Sequence, residues 1–249
     1  LVTGEEIGKL IQRLDEALLL DNDRFAAARR EREEAFHAAP TRAAIHAGAS
    51  YPDEPAALRE TIEGFFSSEE GPGPIGNRGG GDTLAALVAP HIDFGRGGPC
   101  FAWAYKAVAE SPPPDVFLVL GTGHSARVPF VLTAKDFQTP FGPVRADREL
   151  IEHLQRDTEQ DLLADEFAHR GEHSVEFQTV FLKYPYPDSD ISFVPILCGS
   201  FQGLAPDGGS PMDSPIVSDF IEALRGAVEA CGKRVCTVAG VDLIHGRGD

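Results

Sequence analysis

The stretch LAALVAPHIDFG, residues 84–95, decides the fold. Its first seven residues are mostly apolar, and a histidine and an aspartate follow almost at once. The pattern recurs in DVFLVLG, residues 115–121, which precedes T-G-H-S, and in VCTVAGV, residues 235–241, which precedes D-L-I-H. Apolar runs without alternation indicate strands that are buried on both faces, as in a parallel sheet.

Segments with helical periodicity alternate with these apolar runs. We predict two further strands, at residues 129–134 and 192–198, and helices at residues 99–110, 147–156, 174–183 and 215–230. Alternation of this kind is typical of helices that cover both faces of one sheet. The sequence therefore predicts an α/β fold, a three-layer α/β/α domain with a central, mostly parallel sheet.

A short helical segment precedes this domain. Residues 3–36 have helical periodicity, and Thr3 with Glu6 is a candidate capping box. Helical periodicity returns at residues 56–66, before a Gly/Pro-rich loop at residues 69–82. We expect a helical lead-in over residues 1–45 and the α/β domain over residues 46–249. Because VDLIH runs almost to the last residue, we expect the C-terminal part of the domain to be missing.

Composition excludes several classes of partner. The chain has 39 acidic and 22 basic residues and a formal charge of -17, which argues against a nucleic-acid or anionic-membrane surface. It contains no apolar run of about 20 residues, and no positively charged start leads into a short apolar stretch. The four scattered cysteines fit buried free thiols better than a disulfide scaffold. We therefore expect a cytoplasmic protein that binds neither nucleic acid nor membrane.

Histidines follow three of the predicted strands. His91 follows the first strand, His124 follows the second, and Asp242 and His245 follow the last. A single histidine at such a place is commonly structural, but three at one edge of a sheet suggest a metal site. Imidazoles suit iron, zinc or copper, and two of them need a third ligand.

A further histidine pair lies in HRGEHSVEF, residues 169–177. Gly171 interrupts the helical spacing, so we expect a helix to begin near Glu172. On this basis His173 and Glu176 are predicted to line the pocket, and His169 to lie at the surface.

Seven motifs in order resemble the MEMO family. They are HAGASYP, APHIDFGRGG, LGTGHS, FQTPFGPV, GEHSVEFQTVFL, FVPILCGS and AGVDLIH, and they extend from His46 to His245. Bacterial members of that family are labelled AmmeMemoRadiSam system protein B. The family is similar in structure to class III extradiol dioxygenases of the LigB type, which use non-haem Fe(II).

The resemblance implies roles for individual residues. His91 and His124 match the two metal-binding histidines. Asp242 and His245 match a catalytic pair in the pocket, in which His245 has the position of the general base. His173 matches a further catalytic pocket histidine. The family's third ligand is a cysteine near the C-terminus, and no cysteine follows Cys236 in this chain. The metal site is therefore expected to be incomplete.

Three functions remain open from the sequence. The first is a non-haem iron protein, with copper or zinc as other candidate metals, that has redox or dioxygenase-like activity on an unknown small substrate. The second is a non-catalytic module that binds a peptide or a partner through the same pocket, and a radical SAM protein is a candidate partner. The third is a zinc hydrolase.

Overall fold

The computed structural model describes residues 2–77, 82–189, 191–205 and 209–242. The chain divides into two compact units, residues 1–40 and residues 41–249. Within these described ranges, every helix is too short or too polar to cross a membrane.

The first unit consists of helices α1 (Gly4–Glu16) and α2 (Asp23–Ala38). The capping box predicted at Thr3 is confirmed. The Glu6 amide donates to the Thr3 hydroxyl at 3.3 Å, and the Thr3 amide donates to the Glu6 carboxylate at 2.8 Å. The helical pattern does not continue unbroken through the segment, because the backbone turns at Leu18, which has a φ of 58°.

The second unit is an α/β domain. Its described strands are β1 (Thr41–Arg42), β2 (Ala86–Ala89), β3 (Val116–Thr122), β4 (Phe130–Leu132), β5 (Asp136–Phe137), β6 (Arg145–Ala146), β7 (Ser192–Cys198) and β8 (Val235–Gly240). Its described helices are α3 (Pro55–Ser67), α4 (Phe94–Glu110), α5 (Arg148–Arg156), α6 (Ala168–Gly171), α7 (His173–Lys183) and α8 (Pro215–Ala230), with a 3-10 turn at Pro211–Asp213. The five predicted strands and the helices between them are confirmed within a few residues.

The central sheet has the strand order β2-β8-β3-β7-β4, and β6 also pairs with β7. Every pairing in it is parallel except that of β4 with β7. Strands β1 and β5 form a separate parallel pair. The predicted central, mostly parallel sheet is therefore confirmed.

Helices flank this sheet in two groups. Helix α4 packs on α3 and α7, whereas α8 packs on α5. The connection from β2 through α4 to β3 passes over β8, and the connection from β7 through α8 to β8 passes over β3 in the opposite direction. Almost all such crossovers are right-handed, which places α4 and α8 on opposite faces. The arrangement is consistent with a three-layer α/β/α domain.

A row of small residues lets α7 approach the sheet closely. Gly240 of β8 pairs in register with Ala89 of β2 and with Gly121 of β3. A Cβ atom at Gly121 would lie 2.6 Å from the Ser174 hydroxyl, and one at Gly240 would lie 2.7 Å from the Gln178 amide. These glycines therefore set how deeply the start of α7 can lie against the strand ends.

Gln178 also joins α7 to the end of β2. Its buried side-chain amide donates to the Pro90 carbonyl at 2.8 Å, and the Tyr105 hydroxyl donates to its oxygen at 2.7 Å. The residue that follows Pro90 is His91. The hydrogen bond thus fixes the end of β2 relative to α7.

We predict that Gly121→Ala lowers the free energy of unfolding by about 1–3 kcal/mol, the usual cost of overpacking a core. The new methyl group would meet Ser174 and Val175 at 2.6 Å. The measurement is urea unfolding followed by circular dichroism.

Gly226→Ala is the matched control, because Gly226 lies in α8 with no neighbouring atom within 4 Å of its Cβ position. It should raise stability by about 0.5–1 kcal/mol, the helix preference of alanine over glycine. Equal effects of the two substitutions would contradict the close approach of α7.

Candidate metal centre

Three neighbouring strands end at one edge of the sheet, and each is followed by a predicted site residue. His91 comes two residues after Ala89, Asp242 two residues after Gly240, and His124 three residues after Gly121. Since β8 lies between β2 and β3, the pairing register brings these strand ends side by side. Ligand sites in open α/β sheets lie beyond the carboxyl ends of the strands in this way.

His91, His124 and His173 form one cluster. One ring nitrogen of each lies within 4.8 Å of one ring nitrogen of the other two. The ring centroids are 5.2 Å apart for His91 and His124, 5.6 Å for His91 and His173, and 4.9 Å for His124 and His173. Two bonds of about 2.1 Å to one ion span at most about 4.2 Å, so small side-chain movements would let all three imidazoles hold one metal.

Helix α7 supplies the third imidazole. The helix begins at His173 and is capped by Glu172, where the sequence predicts its start. Burial lowers the pKa of the His173 imidazole, and the neighbouring His124 and His91 act in the same direction, although the Glu172 carboxylate opposes them. A neutral imidazole is the form that binds a metal.

Glu172 lies behind two of the histidines. Its carboxylate accepts from the His124 amide at 2.9 Å and lies 3.0 Å from the His124 Nδ1 atom. It also accepts from the Ser174 amide at 3.0 Å. Burial alone would raise the pKa of Glu172, but the Ser174 and His124 amides and the His124 ring hold the pKa below its ordinary value. Glu172 is therefore a buried anion at neutral pH.

The third histidine has a carboxylate beside it as well. The Asp242 Oδ1 atom lies 3.7 Å from the His91 Nδ1 atom. The His91 side chain is buried, whereas the His124 and His173 side chains are 47% and 31% exposed. The cluster is thus anchored on the His91 side and open to solvent on the other.

Two predictions for the neighbouring residues are wrong. His169 is 1% exposed rather than at the surface, and its Nε2 atom lies 3.0 Å from the Val131 carbonyl. Glu176 does not line the pocket but is fully buried in an ion pair with Arg42. Both residues stabilise the structure around the site through these contacts. His245, the predicted general base, lies outside the described residues.

His46 lies next to the cluster, although no role was predicted for it from the sequence. Its ring lies 5.9 Å from that of His173, and its Nε2 atom lies 3.2 Å from the Gly171 carbonyl. Its amide donates to Glu176 at 3.0 Å. The HAGASYP motif could have indicated this residue. It places His46 in a turn, and the hydrogen bond to Glu176 holds that turn next to α7.

The cysteines of the described residues do not join the histidine cluster. All four are free thiols, but the expectation that they are buried holds only for Cys236: Cys198 and Cys231 are partly exposed, and Cys100 is exposed. Burial raises the pKa of Cys198 and of Cys236 to about 11, which disfavours the thiolate form that metals bind.

The fold and this cluster define an α/β domain with three histidines that could hold a metal at the carboxyl edge of its sheet. The family model for Memo-like proteins matches residues 42–207, which is more than half of the chain. The chain belongs to the Memo-like family.

Individual relatives support this assignment. A MEMO1 family protein of Aquifex aeolicus is 34% identical over 189 residues, which cover 76% of this chain and 48% of the relative. A MEMO1 family protein of Methanopyrus kandleri is 34% identical over 203 residues, 80% of this chain and 67% of the relative. A third, from Desulfurococcus amylolyticus, is 33% identical over 208 residues, 82% and 69% of the two chains. The chain therefore spans about half to two thirds of the length of these relatives.

The buried His169 predicts a specific acid sensitivity. Burial lowers its pKa from 6.5 to about 3, so the folded chain leaves this ring neutral at pH values where the unfolded chain protonates it. Its stabilising contribution is complete above pH 6.5 and is lost as the pH falls towards 3. The loss should be about 1.4 kcal/mol per pH unit, or about 2 kcal/mol between pH 6.5 and pH 5.

The measurement is urea unfolding of the native chain and of His169→Gln at pH 7 and pH 5. The glutamine Nε2 atom can still donate to the Val131 carbonyl but does not titrate. The variant should lose about 2 kcal/mol less stability than the native chain between the two pH values. Equal losses would show that His169 can be protonated in the folded state.

Proposed function

We propose that this chain is a non-haem iron protein that carries out redox chemistry of the dioxygenase type on a small substrate. His91, His124 and His173 would hold the ion. The observation that carries the proposal is the convergence of three imidazoles from two strand ends and a helix start, each with a carboxylate beside it.

The donor set fits a transition metal. Neutral imidazoles suit iron, copper and zinc, whereas magnesium and calcium prefer oxygen ligands. The carboxyl groups of Glu172 and Asp242 lie next to the three rings, an arrangement that suits a divalent cation. His173 would then serve as the third ligand, the role that the resemblance assigned to a cysteine. This ligand role differs from the pocket role that the sequence suggested for His173.

The exposed side of the cluster favours a catalytic use of the metal. Three protein ligands leave positions on an iron ion for other molecules. The half-exposed His124 and His173 rings give a substrate a route to that side, while the buried His91 anchors the opposite one. When bound, iron would supply the one-electron chemistry with oxygen that protein side chains lack.

The choice of iron, rather than copper or zinc, rests on the resemblance to extradiol dioxygenases. Proton transfer by His245, with Asp242 three residues before it, stays a prediction from the sequence. A radical SAM partner, a peptide ligand and a cytoplasmic location are likewise predictions from the sequence alone.

Metal analysis of protein purified without oxygen tests the ligand set. We expect about one iron per native chain, and His91→Ala, His124→Ala and His173→Ala should each lose most of it. His153→Ala is the matched control, because it removes an imidazole from α5, outside the cluster, and should keep the metal. Melting temperatures of the metal-free forms show whether each variant is folded. Full metal retention by a folded His173→Ala would contradict the three-histidine site.

Oxygen uptake tests the reaction. The iron-loaded native chain should consume oxygen when catechols or related small diols are added, and His245→Ala should keep the metal but react about 10² to 10⁴ times more slowly. One bound zinc ion with no oxygen uptake would contradict the iron assignment and favour a hydrolase. If the native chain bound no transition metal, a catalytic metal site would be excluded, and the non-catalytic binding module would be the remaining function.

A further inference from the structure

Glu172 connects two histidines of the cluster to the start of α7. It is the N-cap of that helix, and its Oε1 atom accepts from the His173 amide at 2.9 Å and from the Ser174 amide at 3.0 Å. Its Oε2 atom accepts from the His124 amide at 2.9 Å. One buried carboxylate thus binds backbone amides of two segments that are 48 residues apart in sequence.

The same carboxylate faces ring nitrogens. The His124 Nδ1 atom lies 3.0 and 3.1 Å from its two oxygens, and the His173 Nδ1 atom lies 3.3 Å from Oε1. A carboxylate can only accept hydrogen bonds, so the His124 Nδ1 atom must carry the hydrogen in this contact. In a neutral imidazole the lone pair is then on Nε2, which points away from Glu172.

We propose that Glu172 is the positioning residue of the metal centre: it fixes His124 as the Nδ1–H tautomer and sets the distance between His124 and His173. This inference rests on the proposed metal-binding function and adds the residue that organises it. By accepting hydrogen bonds from both segments, the carboxylate presents the Nε2 atom of His124 to an ion. An anionic partner on the far nitrogen also makes an imidazole a stronger ligand.

The backbone of Glu172 is held from the opposite side. The buried Arg42 side chain donates to the Glu172 carbonyl at 2.8 Å, and its charge is paired with Glu176 one turn further along α7. Arg42 thus holds the Glu172 backbone, and the amides of His173, Ser174 and His124 hold its carboxylate. It is the His124 ring that has to adapt to the carboxylate.

Two substitutions separate positioning of the histidine from capping of the helix. Glu172→Asp keeps a good N-cap residue but withdraws the carboxylate by one methylene, about 1.5 Å, from His124. Glu172→Gln keeps the length but replaces one accepting oxygen with a donor that would face an amide. The control is Asp147→Asn. Asp147 is the buried N-cap of α5 and pairs with Lys233, but it lies beside Ser192 at the start of β7, at the opposite edge of the sheet.

The first measurement determines the tautomer of His124 in the metal-free native chain and compares it with the metal-free variants. Long-range ¹⁵N–¹H correlation spectra of the histidine rings should show His124 protonated at Nδ1 and unprotonated at Nε2. In Glu172→Asp and Glu172→Gln the His124 signals should change towards a mixture of tautomers. The Asp147→Asn spectra should match those of the native chain.

The second measurement is Zn²⁺ affinity, determined by competition with a chelator. Both Glu172 variants should bind Zn²⁺ about 10 to 100 times more weakly, the usual effect of removing an outer partner of a ligand histidine. Asp147→Asn should melt at a lower temperature but bind Zn²⁺ as the native chain does.

Two results would overturn the inference. One is a native His124 ring protonated at Nε2, and the other is a folded Glu172→Asp chain with native tautomer and native Zn²⁺ affinity, which would leave Glu172 only a helix cap. If the native chain bound neither Zn²⁺ nor iron, the proposed function would fail instead, while the tautomer of the metal-free chain would still test Glu172 independently.

Discussion

The buried ion pair between Arg42 and Glu176 is the interaction on which the site depends. Both side chains are almost inaccessible to solvent, at 1% and 0% exposure. Besides Glu176, the Arg42 guanidinium donates to the carbonyls of His169 at 3.0 Å and Glu172 at 2.8 Å. Burying two charges costs desolvation energy that is offset only when their hydrogen bonds are satisfied. The hydrogen bonds of Arg42 and Glu176 are satisfied in this structure, and they fix the backbone immediately before α7.

The second oxygen of Glu176 extends this network to the HAGASYP segment. It accepts from the Tyr51 hydroxyl and from the His46 amide. Burial, together with the charge of Glu176, raises the pKa of the Tyr51 hydroxyl, so Tyr51 remains a neutral donor. The ion pair therefore determines where α7 begins, while the glycines of β3 and β8 determine how close it comes to the sheet. Together they bring His173 to the histidines at the strand ends.

The sequence predicted the strands and helices well because each has a strong local signal. His91, His124 and Asp242 were also accessible to prediction, since each follows an apolar run and parallel strands end at a common edge. The partners of Glu176 were not, because Arg42 is 134 residues away and no local pattern connects them. His169 was wrongly expected at the surface, because its burial depends on a contact with β4 that the spacing of HRGEH does not encode.

His173 shows most clearly what could not be predicted from the sequence. Motif resemblance placed it in the pocket, but whether its ring joins the other two depends on the depth of α7, which is a tertiary property. The third ligand therefore could not be identified from the sequence, and the resemblance implied a cysteine. Among the described residues, a third imidazole lies at this position instead.

X-ray absorption spectroscopy of the iron-loaded chain tests the three-histidine assignment most directly, because it distinguishes nitrogen from sulfur ligands. A three-histidine site should give nitrogen and oxygen scatterers at about 2.0–2.2 Å, with the outer-shell pattern of three imidazoles. A sulfur scatterer at about 2.3 Å, or the pattern of only two imidazoles, would contradict it.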